Sequence, residues 1–454
     1  LVKDKCFYKK MAVIAIPISL QSMITIGVNM TDTVMVGKLG ETSLSATALA
    51  NQFVNIYQIC CMGIAMGASV LTSRFWGMQD ITSLKKTITL MLRLCIVLAV
   101  LFMLPTILIP QLLMRMYTND SAVIAQGVQY FKWMVYCYFL QGMTMTCTIV
   151  LRSVGQVNFP LFTSIGSFFV NILFNYMFIF GKLGVPRMEV EGSGVGTLIA
   201  RVFEFSLICG YFLFVDRKIG YRLKDLRMKC NSLIKDYVSI SIPVFVSDSL
   251  LALGTSAVAM VMGRIGTGFV SANSITVVTQ QLTTVIIQGI CHASCIMTGH
   301  TLGHGEREKA QQQAWTFLIL GLVVGILGGG LIKVLSRPII GLYNITPETA
   351  QIAGELMGAI AFIVIFQSMN SILTKGVLRG GGDTKFLMVA DIIFLWAASL
   401  PLGILAGLVW HLDAFWIYVF LKIDQICKSI WCVFRLRSGK WIKTFSKEKM
   451  NHAQ

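Results

Sequence analysis

One stretch of this sequence occurs twice, and the duplication constrains the fold more than any other feature. Residues 16–40 read IPISLQSMITIGVNMTDTVMVGKLG, and residues 242–266 read IPVFVSDSLLALGTSAVAMVMGRIG. Pro17 aligns with Pro243, and the same offset pairs Gly37 with Gly263 and Gly40 with Gly266. A repeat of this length in an apolar chain predicts a transporter built of two like halves, with the substrate path between them.

The duplication continues into the later part of each half. VLRSVGQV at 150–157 matches VLRGGGDT at 377–384 after a slip of one residue. We therefore predict two pseudo-symmetric six-helix bundles, residues 1–220 and 221–454. Because six spans per half is an even number, both halves enter the membrane from the same side and should be related by an axis along the membrane normal.

Composition indicates a membrane protein. Apolar residues make up 55% of the chain, charged residues only 13%, and the mean hydropathy is +0.73, which excludes an ordinary soluble protein. A spanning helix needs roughly 20 mostly apolar residues, and barrel strands would alternate instead. We therefore predict an all-α, polytopic membrane protein of twelve transmembrane helices. The predicted spans lie near 11–36, 47–73, 88–113, 127–150, 158–181, 192–215, 236–263, 270–298, 311–335, 351–377, 386–410 and 413–434.

The net charge of +17 is unevenly distributed over the predicted topology. With the N-terminus inside, about 25 of the 38 Lys and Arg residues fall in cytoplasmic segments, as the positive-inside rule requires. We expect this charge to orient the chain and to contact anionic membrane lipids rather than nucleic acid. The predicted location is the cell membrane, multi-pass, with both termini cytoplasmic.

Six motifs are similar to those of one transporter family. They are DTVMVGKLG at 32–40, SRFWGMQD at 73–80, NILFNYMFIFG at 171–181, GSGVGTLIAR at 192–201, GHTLGHGE at 299–306 and FQSMNSILTKGVLRGGGDT at 366–384. In their order and spacing they resemble the multidrug and toxic compound extrusion (MATE) family over nearly the whole chain. The resemblance implies twelve helices in two bundles, a V-shaped central cavity, a monomer, and efflux of small organic compounds, cationic or amphipathic, driven by inward sodium ions or protons.

Asp32 is the main candidate for cation coupling. A carboxylate inside a span is costly and is a functional candidate by default. Asp32 precedes Lys38 by six residues, which places it roughly 9 Å from the outer interface at 1.5 Å per residue. Its counterpart in the second half is Val258, so packing alone does not require a carboxylate here. The alternative is a carboxylate that is paired or solvated near the helix end.

Three polar residues are expected to surround Asp32. Asn171 and Asn175 are four residues apart, hence on one helix face. By resemblance they fall at the fifth-span positions that neighbour the first-helix carboxylate, and Thr197 falls at a matching sixth-span position. Many relatives have Asp where this chain has Asn175, so a sodium site would carry less negative charge here, which favours protons as the coupling ion. Alternatively, the asparagines only hold helices together by hydrogen bonds.

The second half departs from the NorM branch of the family. Relatives of that branch carry carboxylates in spans seven and ten, whereas this chain has Asn370 at the tenth-span position. Asp248 follows Pro243 by only five residues, too early for the seventh-span match, and should either line the cavity or be a shallow, solvated group. These departures argue against a cation site in the second half and favour the DinF-like branch over the NorM-like one.

Further polar residues within the spans are expected to line the substrate cavity, with helix packing as the alternative for each. They are Gln52, Asn55, Gln141, Asp248, Gln280, Gln288, Gln367 and Asn370.

The remaining charged residues of the spans have simpler interpretations. Arg201 and Glu204 are predicted to form a local ion pair because they are three residues apart. Asp391, less than two turns after the nearest lysine, is expected to be interfacial. Lys422 and Asp424 lie in the last span, far from both of its ends, and the sequence does not indicate which residues they pair with.

Other functional classes fit poorly. The glycine run at 380–382 is not followed by a Walker lysine, so we predict no ATP-driven pump. The spans lack the clustered nucleophile or His and Glu motifs of an intramembrane enzyme. We expect no cofactor, and no metal beyond a coupling sodium ion, because the Cys and His residues at 291–304 match a loop where relatives need no metal. The nearest rival is a flippase for a lipid-linked saccharide on a related scaffold, which often has two further spans and a cationic cavity. A passive channel is the other alternative.

Overall fold

The computed structural model describes residues 1–445, and every regular element in this range is helical, as predicted. Residues 446–454, which include the end of the basic tail, lie outside the described residues. A short helix, Pro110–Arg115, and a 3₁₀ helix, Leu223–Arg227, lie between longer ones. The long helices of the first half are α1 (Lys5–Gly37), α2 (Glu41–Gly77), α3 (Ile81–Leu108), α4 (Ser121–Ser153), α5 (Asn158–Phe180) and α6 (Val190–Gly210), which continues through a π-helical turn, Tyr211–Val215.

The second half repeats this order of helices. Its helices are α7 (Asn231–Ile265), α8 (Thr267–Gly303), α9 (Arg307–Gly341), α10 (Pro347–Ser371), α11 (Thr384–Val409), α12 (Ala414–Leu421) and α13 (Ile423–Arg437). A π-helical segment, Ile372–Leu378, extends α10, and α11 is π-helical over Ile392–Ser399 and Leu405–Val409. The first five helices of the first half begin at positions 5, 41, 81, 121 and 158, and their counterparts begin at positions 231, 267, 307, 347 and 384. Each pair of starts is separated by the same offset as the paired prolines, so the duplicated sequence is a duplicated set of helices.

Several helices begin at side chains that accept hydrogen bonds from free N–H groups of the first turn. The Asp80 carboxylate accepts from the Ser83 amide at 3.1 Å where α3 begins. The Asp120 carboxylate accepts from the Ala122 amide at 3.0 Å where α4 begins. Thr346 caps α10 in the same way and is the counterpart of Asp120 in the second repeat. Such caps stabilise a helix start by about 1 kcal/mol, so the repeat reproduces a start signal along with the apolar runs.

The predicted twelfth span, 413–434, is not one continuous helix, which corrects that prediction. α12 ends at Leu421, Lys422 leaves helical geometry with φ of −117°, and α13 begins at Ile423. The Ser399 hydroxyl donates to the Leu421 carbonyl at 2.5 Å, so a carbonyl at the broken end remains satisfied. Eleven helices of the described residues are long and apolar enough to cross a membrane, and the broken segment is the twelfth candidate.

The chain forms two compact units, Leu20–Ser241 and Leu1–Ser19 together with Ile242–Gln454. The first helix of each half is divided between the units, α1 two residues after Pro17 and α7 two residues before Pro243. A proline inside a helix removes one backbone hydrogen bond and favours a kink. The predicted boundary between residues 220 and 221 separates the two repeats rather than these contact units, and it stays a prediction.

The second and fourth helices of each repeat are the most buried. The buried share of the apolar segment is 61% for α2, 67% for α4, 67% for α8 and 61% for α10, against 28% for α1, α5, α6 and α7. In the unit Leu20–Ser241, the rings of Tyr57 and Tyr138 pack with their centroids 5.0 Å apart. The Tyr57 hydroxyl also donates to the Tyr138 carbonyl at 2.5 Å. The polar residues predicted around Asp32 therefore lie on helices at the periphery of this core.

Candidate functional site

Asp32 and the two asparagines predicted to neighbour it lie together in the unit Leu20–Ser241. Asn175 Nδ2 donates to Asp32 Oδ1 at 2.5 Å and to Asn171 Oδ1 at 3.3 Å. Both asparagines are buried, with exposures of 3% for Asn171 and 0% for Asn175, and Asp32 is half-buried. The cluster joins the C-terminal part of α1 to one face of α5, as the spacing of four residues requires.

A glycine in α6 allows the close approach that the cluster needs. A Cβ added to Gly196 would lie 2.9 Å from both the side-chain amide carbon and the backbone nitrogen of Asn175, and closer still to Asn175 Oδ1. Real Cβ atoms do not make such contacts, so only glycine fits this position without displacing Asn175. Helix α6 thus holds the asparagine against Asp32 by packing.

The oxygen atoms around Asp32 are of the kind that hard cations prefer. Asp32 supplies a carboxylate, and Asn171 supplies an amide oxygen. Asn175 Oδ1 is buried and accepts no hydrogen bond from any described residue, but it packs against Gly196, and the Asn175 amide nitrogen faces Asp32 and Asn171. In this arrangement the Asp32 carboxylate can accept a transferred proton, and a metal cation would fit only after the Asn175 amide turned over.

Thr197 lies beside Gly196 on α6, but within the described part of the chain no hydrogen bond joins it to Asp32 or the asparagines. Its place in the site stays a prediction. Arg201, one turn farther along α6, pairs with Glu204 at 2.8 Å, so the predicted local ion pair is present in the structure.

The predicted cavity residues fall into two groups. In the unit that contains the second half, Gln280 Nε2 donates to Gln367 Oε1 at 3.0 Å, and Asn370 Nδ2 donates to Gln425 Oε1 at 2.7 Å. Those bonds link neighbouring helices of the same unit. The others are exposed or half-buried, and their lining of a cavity stays a prediction; they are Gln52, Asn55, Gln141 and Gln288.

Asp248 is ion-paired, so the expectation of a shallow, solvated group is wrong. Arg379 Nη2 donates to Asp248 Oδ1 at 3.0 Å, and the side chains of Arg379 and Asp248 are 5% and 15% exposed respectively. The pair joins α7 to the residue that follows the π-helical extension of α10. A buried arginine without such a partner would be strongly destabilising. The Asp248 carboxylate therefore neutralises the buried Arg379 guanidinium. Whether Asp248 also lines the substrate cavity stays a prediction.

Asp391, which was expected to be interfacial, is buried within its unit at 5% exposure; its depth in the membrane stays a prediction. Lys428 Nζ lies 2.9 Å from Asp391 Oδ1 and 3.2 Å from Asp424 Oδ2. Asp424 and Lys428 are four residues apart on α13, a spacing that favours an ion pair and was a usable signal. No local signal connects them to Asp391, because it lies 37 residues before Lys428.

An open groove of about 540 Å³ lies in the same unit and is mainly apolar. Its walls come from α11 and α13 and the residues after α13, and they include none of the polar residues predicted to bind cation or substrate. The lining residues are Phe386, Phe394, Cys427, Ile430, Trp431, Phe434, Arg435, Ser438 and Lys440. The groove therefore contributes nothing to the cluster around Asp32.

Comparison with known proteins gives one consistent result. A family model described as MatE matches residues 17–177 and 243–426, and the two matched segments begin at the paired prolines. The chain is 24% identical to "Uncharacterized transporter YisQ" of Bacillus subtilis, over 94% of this chain and 93% of that protein. It is 23% identical to "Probable multidrug resistance protein NorM" of Thermotoga maritima, over 96% and 93%. The solved Vibrio cholerae MATE transporter VcmN in the bent form has a TM-score of 0.86 at 16% identity, covering 96% of this chain and 99% of that one.

Proposed function

Because this chain belongs to the MatE family of membrane transporters, we propose that it expels small organic compounds across the cell membrane in exchange for a cation that moves inward. The observation that carries the proposal is the hydrogen bond of 2.5 Å between Asn175 Nδ2 and Asp32 Oδ1. This bond links an ionisable group of α1 to α5. Gly196 of α6 packs against Asn175, so α6 also affects the position of the donor. Relatives named as multidrug resistance proteins support the substrate class, here cationic or amphipathic compounds.

The coupling reaction uses Asp32 as the exchangeable cation site. When a proton or sodium ion binds, the negative charge that accepts from Asn175 is neutralised, and the link between α1 and α5 weakens. The helix can then bend near Pro17, where a backbone hydrogen bond is missing. In this mechanism the bend closes the substrate cavity and expels the compound outward. We favour protons, since the cluster contains one carboxylate and two neutral amides.

The available driving force is sufficient without ATP. A pH difference of one unit supplies about 1.4 kcal/mol per proton, and a potential of 100 mV supplies about 2.3 kcal/mol per net charge moved. Their sum, about 3.7 kcal/mol, permits accumulation against a gradient of at least tens-fold.

The remaining assignments follow from the sequence and belong to the same proposal. The protein acts as a monomer in contact with membrane lipids, with both termini in the cytoplasm. Asn370 stands where NorM-like relatives carry a carboxylate, and Asp248 is neutralised by Arg379. Both features support a DinF-like assignment, with cation coupling in the first half alone.

The test is efflux of a fluorescent organic cation from loaded cells that express the wild type, Asp32→Asn, or Glu41→Gln as a control. Glu41 is an exposed acidic residue at the start of α2, so its substitution should leave efflux unchanged. Each variant is measured with an imposed pH gradient and, separately, with a sodium gradient. We expect Asp32→Asn to abolish efflux, and the gradient that drives the wild type identifies the ion.

Two results would count against the proposal. If Asp32→Asn retains wild-type efflux while its expression is normal, Asp32 is not the coupling site. If the wild type moves no tested cation under either gradient, the flippase hypothesis gains support, and a labelled lipid-linked saccharide becomes the next substrate to test.

A further inference from the structure

The cluster of Asp391, Lys428 and Asp424 places a positive charge between two buried carboxylates. Lys428 Nζ lies 2.9 Å from Asp391 and 3.2 Å from Asp424, and the side chains are 2%, 8% and 2% exposed for Lys428, Asp391 and Asp424. Two carboxylates this close in a poorly hydrated environment repel each other unless a cation lies between them. Here the cation is the chain's own ammonium group.

The cluster joins three helices of its unit. Ser247 of α7 donates to the Asp391 carboxylate of α11. Ser399, eight residues farther along α11, donates to Asp424 Oδ1 of α13 at 3.3 Å. Lys428 therefore stabilises the contact among the first, fifth and sixth spans of the second repeat, the same set of spans that carries Asp32, Asn175 and Gly196 in the first.

The first repeat has neutral groups at two positions of this cluster. At the offset of the paired prolines Ser247 corresponds to Gln21, and after the slip of one residue Asp391 corresponds to Ser164. In the first half, Gln21 Nε2 donates to Ser164 Oγ at 2.9 Å. The same two helix positions are thus bonded in both halves, by neutral groups in the first and by a carboxylate in the second.

The basic residue of the sixth span has a different partner in each half. With the same slip of one residue, Lys428 in the last span corresponds to Arg201. Arg201 pairs with Glu204 of its own helix at 2.8 Å, whereas Lys428 reaches the fifth-span carboxylate of Asp391. Arg201 also lies close enough to Asp32 to attract it electrostatically, but only in the second half does the basic side chain of the sixth span form a direct salt bridge with an acid of a neighbouring helix.

We propose that Lys428 is a tethered cation that permanently occupies the space between Asp391 and Asp424, where an exchangeable ion would otherwise bind, so that only the first half binds an exchangeable coupling ion. A lysine ammonium is a compact point charge with three donors. Because it is covalently attached, it stays between Asp391 and Asp424 through the whole cycle and cannot be released into either compartment. Asp32, by contrast, accepts a hydrogen bond from a neutral amide and takes its balancing charge from solution. The inference rests on the proposed function only for this comparison with Asp32.

Lys422 provides a matched control. It is half-buried at the break between α12 and α13, six residues before Lys428, and within the described part of the chain no carboxylate forms a salt bridge with it. Truncation of Lys422 removes a lysine of the same region without opening the space between the two carboxylates.

The experiment is thermal melting of purified Lys428→Ala and Lys422→Ala, both in an Asp32→Asn background that removes the first-half site. Each is measured at one pH and ionic strength in choline, sodium, lithium or methylammonium chloride. In Lys428→Ala, a small cation should enter the vacated space and raise Tm by about 2–5 °C relative to choline, since ligands that bind the folded state stabilise it. Lys422→Ala should show no such difference. Equal Tm values of Lys428→Ala in all four salts would overturn the proposal.

A second measurement leaves Lys428 in place, in case its removal prevents folding. Asp32→Asn alone, and Asp32→Asn with Asp391→Asn, are melted in the same salts. We expect neither to respond to small cations. A sodium or lithium response that is present in Asp32→Asn and lost with Asp391→Asn would show an exchangeable ion in the second half and would refute the tethered cation. The Tm does not depend on whether any compound is transported. A failure of the tethered-cation proposal can therefore be distinguished from a failure of the efflux proposal.

Discussion

The substitution Gly196→Ala tests whether helix packing sets the cation site. Gly196 lies in α6 against Asn175, and an added Cβ would come within 2.9 Å of the Asn175 backbone nitrogen and side-chain amide carbon. A change of side-chain rotamer can relieve the second contact but not the first. The substitution therefore separates α5 from α6 locally and displaces the group that donates to Asp32.

The size of the effect follows from these distances. Non-bonded heavy atoms in ordinary contact are about 3.5–4.0 Å apart, so a contact of 2.9 Å requires a shift of about 0.5–1 Å. Overpacking of this kind costs about 1–3 kcal/mol of folding free energy. The hydrogen bond from Asn175 to an ionised Asp32 contributes about 1.5–3 kcal/mol. Its loss corresponds to a change of about 10–150-fold in cation affinity, at 1.4 kcal/mol per factor of ten.

The assay combines efflux in cells with cation titration of the purified protein by melting. We expect Gly196→Ala to reduce efflux at least about tenfold and to shift the half-saturating concentration of the coupling cation. Gly210→Ala is the matched control, because Gly210 lies at the end of the same helix with nothing within 4 Å of an added Cβ. That variant should keep full efflux and gain up to about 1 kcal/mol of stability from its higher helix propensity.

Two outcomes would refute this reasoning. One is a Gly196→Ala protein that transports with unchanged cation affinity. The other is an equal change of cation affinity when Gly196→Ala is introduced into Asn175→Ala, where no side-chain amide remains to be displaced. In that background the added substitution should change stability, because the backbone contact persists, but not the affinity for the cation.

Two further predictions concern buried polar bonds. Asp248→Asn should lower Tm more than the double substitution Asp248→Asn with Arg379→Gln, because the single change leaves a buried guanidinium without its counter-ion, at a cost of about 3–5 kcal/mol; equal Tm values would show that the pair has no mutual dependence. Tyr57→Phe should destabilise the protein by about 1–3 kcal/mol in melting experiments, because it leaves the Tyr138 carbonyl without the hydroxyl that donates to it at 2.5 Å. A wild-type Tm for Tyr57→Phe would mean that this bond contributes no net stability.

Most of the helical order could be predicted because the signals are local and occur twice. Apolar runs of span length set the helices, and the repeat reproduces the first five helix starts at one offset. The break at Lys422 has no local signal in the apolar run. The hydroxyl that satisfies the Leu421 carbonyl at the break belongs to Ser399 of a different helix, and such a contact between distant residues cannot be predicted from the run itself.

The site was predictable only where the sequence spacing and the family resemblance agreed. Asn171 and Asn175 share a helix face by spacing, and the structure brings Asn175 to Asp32. Asp391 was assigned to the interface from its distance along the chain to the nearest lysine, yet the lysine that binds it comes from α13. Depth in a folded bundle depends on which helix covers a residue, and separation along the sequence contains no such information.

One bond recurs in both halves and marks what the two halves share. Arg152 donates to Gln21 in α1, and Arg379, at the equivalent position of the second repeat, donates to Asp248 in α7. Gln21 follows Pro17 by four residues, and Asp248 follows the paired proline by five. In each half an arginine at the end of the fourth span thus holds the first helix just beyond its proline. α1, for which we propose a bend, therefore shares its internal proline and the arginine bond beyond it with α7.

The halves differ instead at the buried carboxylates. Asp32 corresponds to Val258, and Asp391 corresponds to Ser164, so each half carries an acid where the other is neutral. The first five helix starts, the cap at Asp120 and Thr346, and the arginine bonds stay paired across the repeat, which means that the scaffold alone does not determine where a cation binds. In the mechanism that we propose, the asymmetry of charge does: the acid with a neutral amide beside it takes its cation from solution, and the acid with a lysine beside it does not. Comparison of the two halves position by position thus finds the functional groups as the places where a symmetric scaffold carries unequal charge.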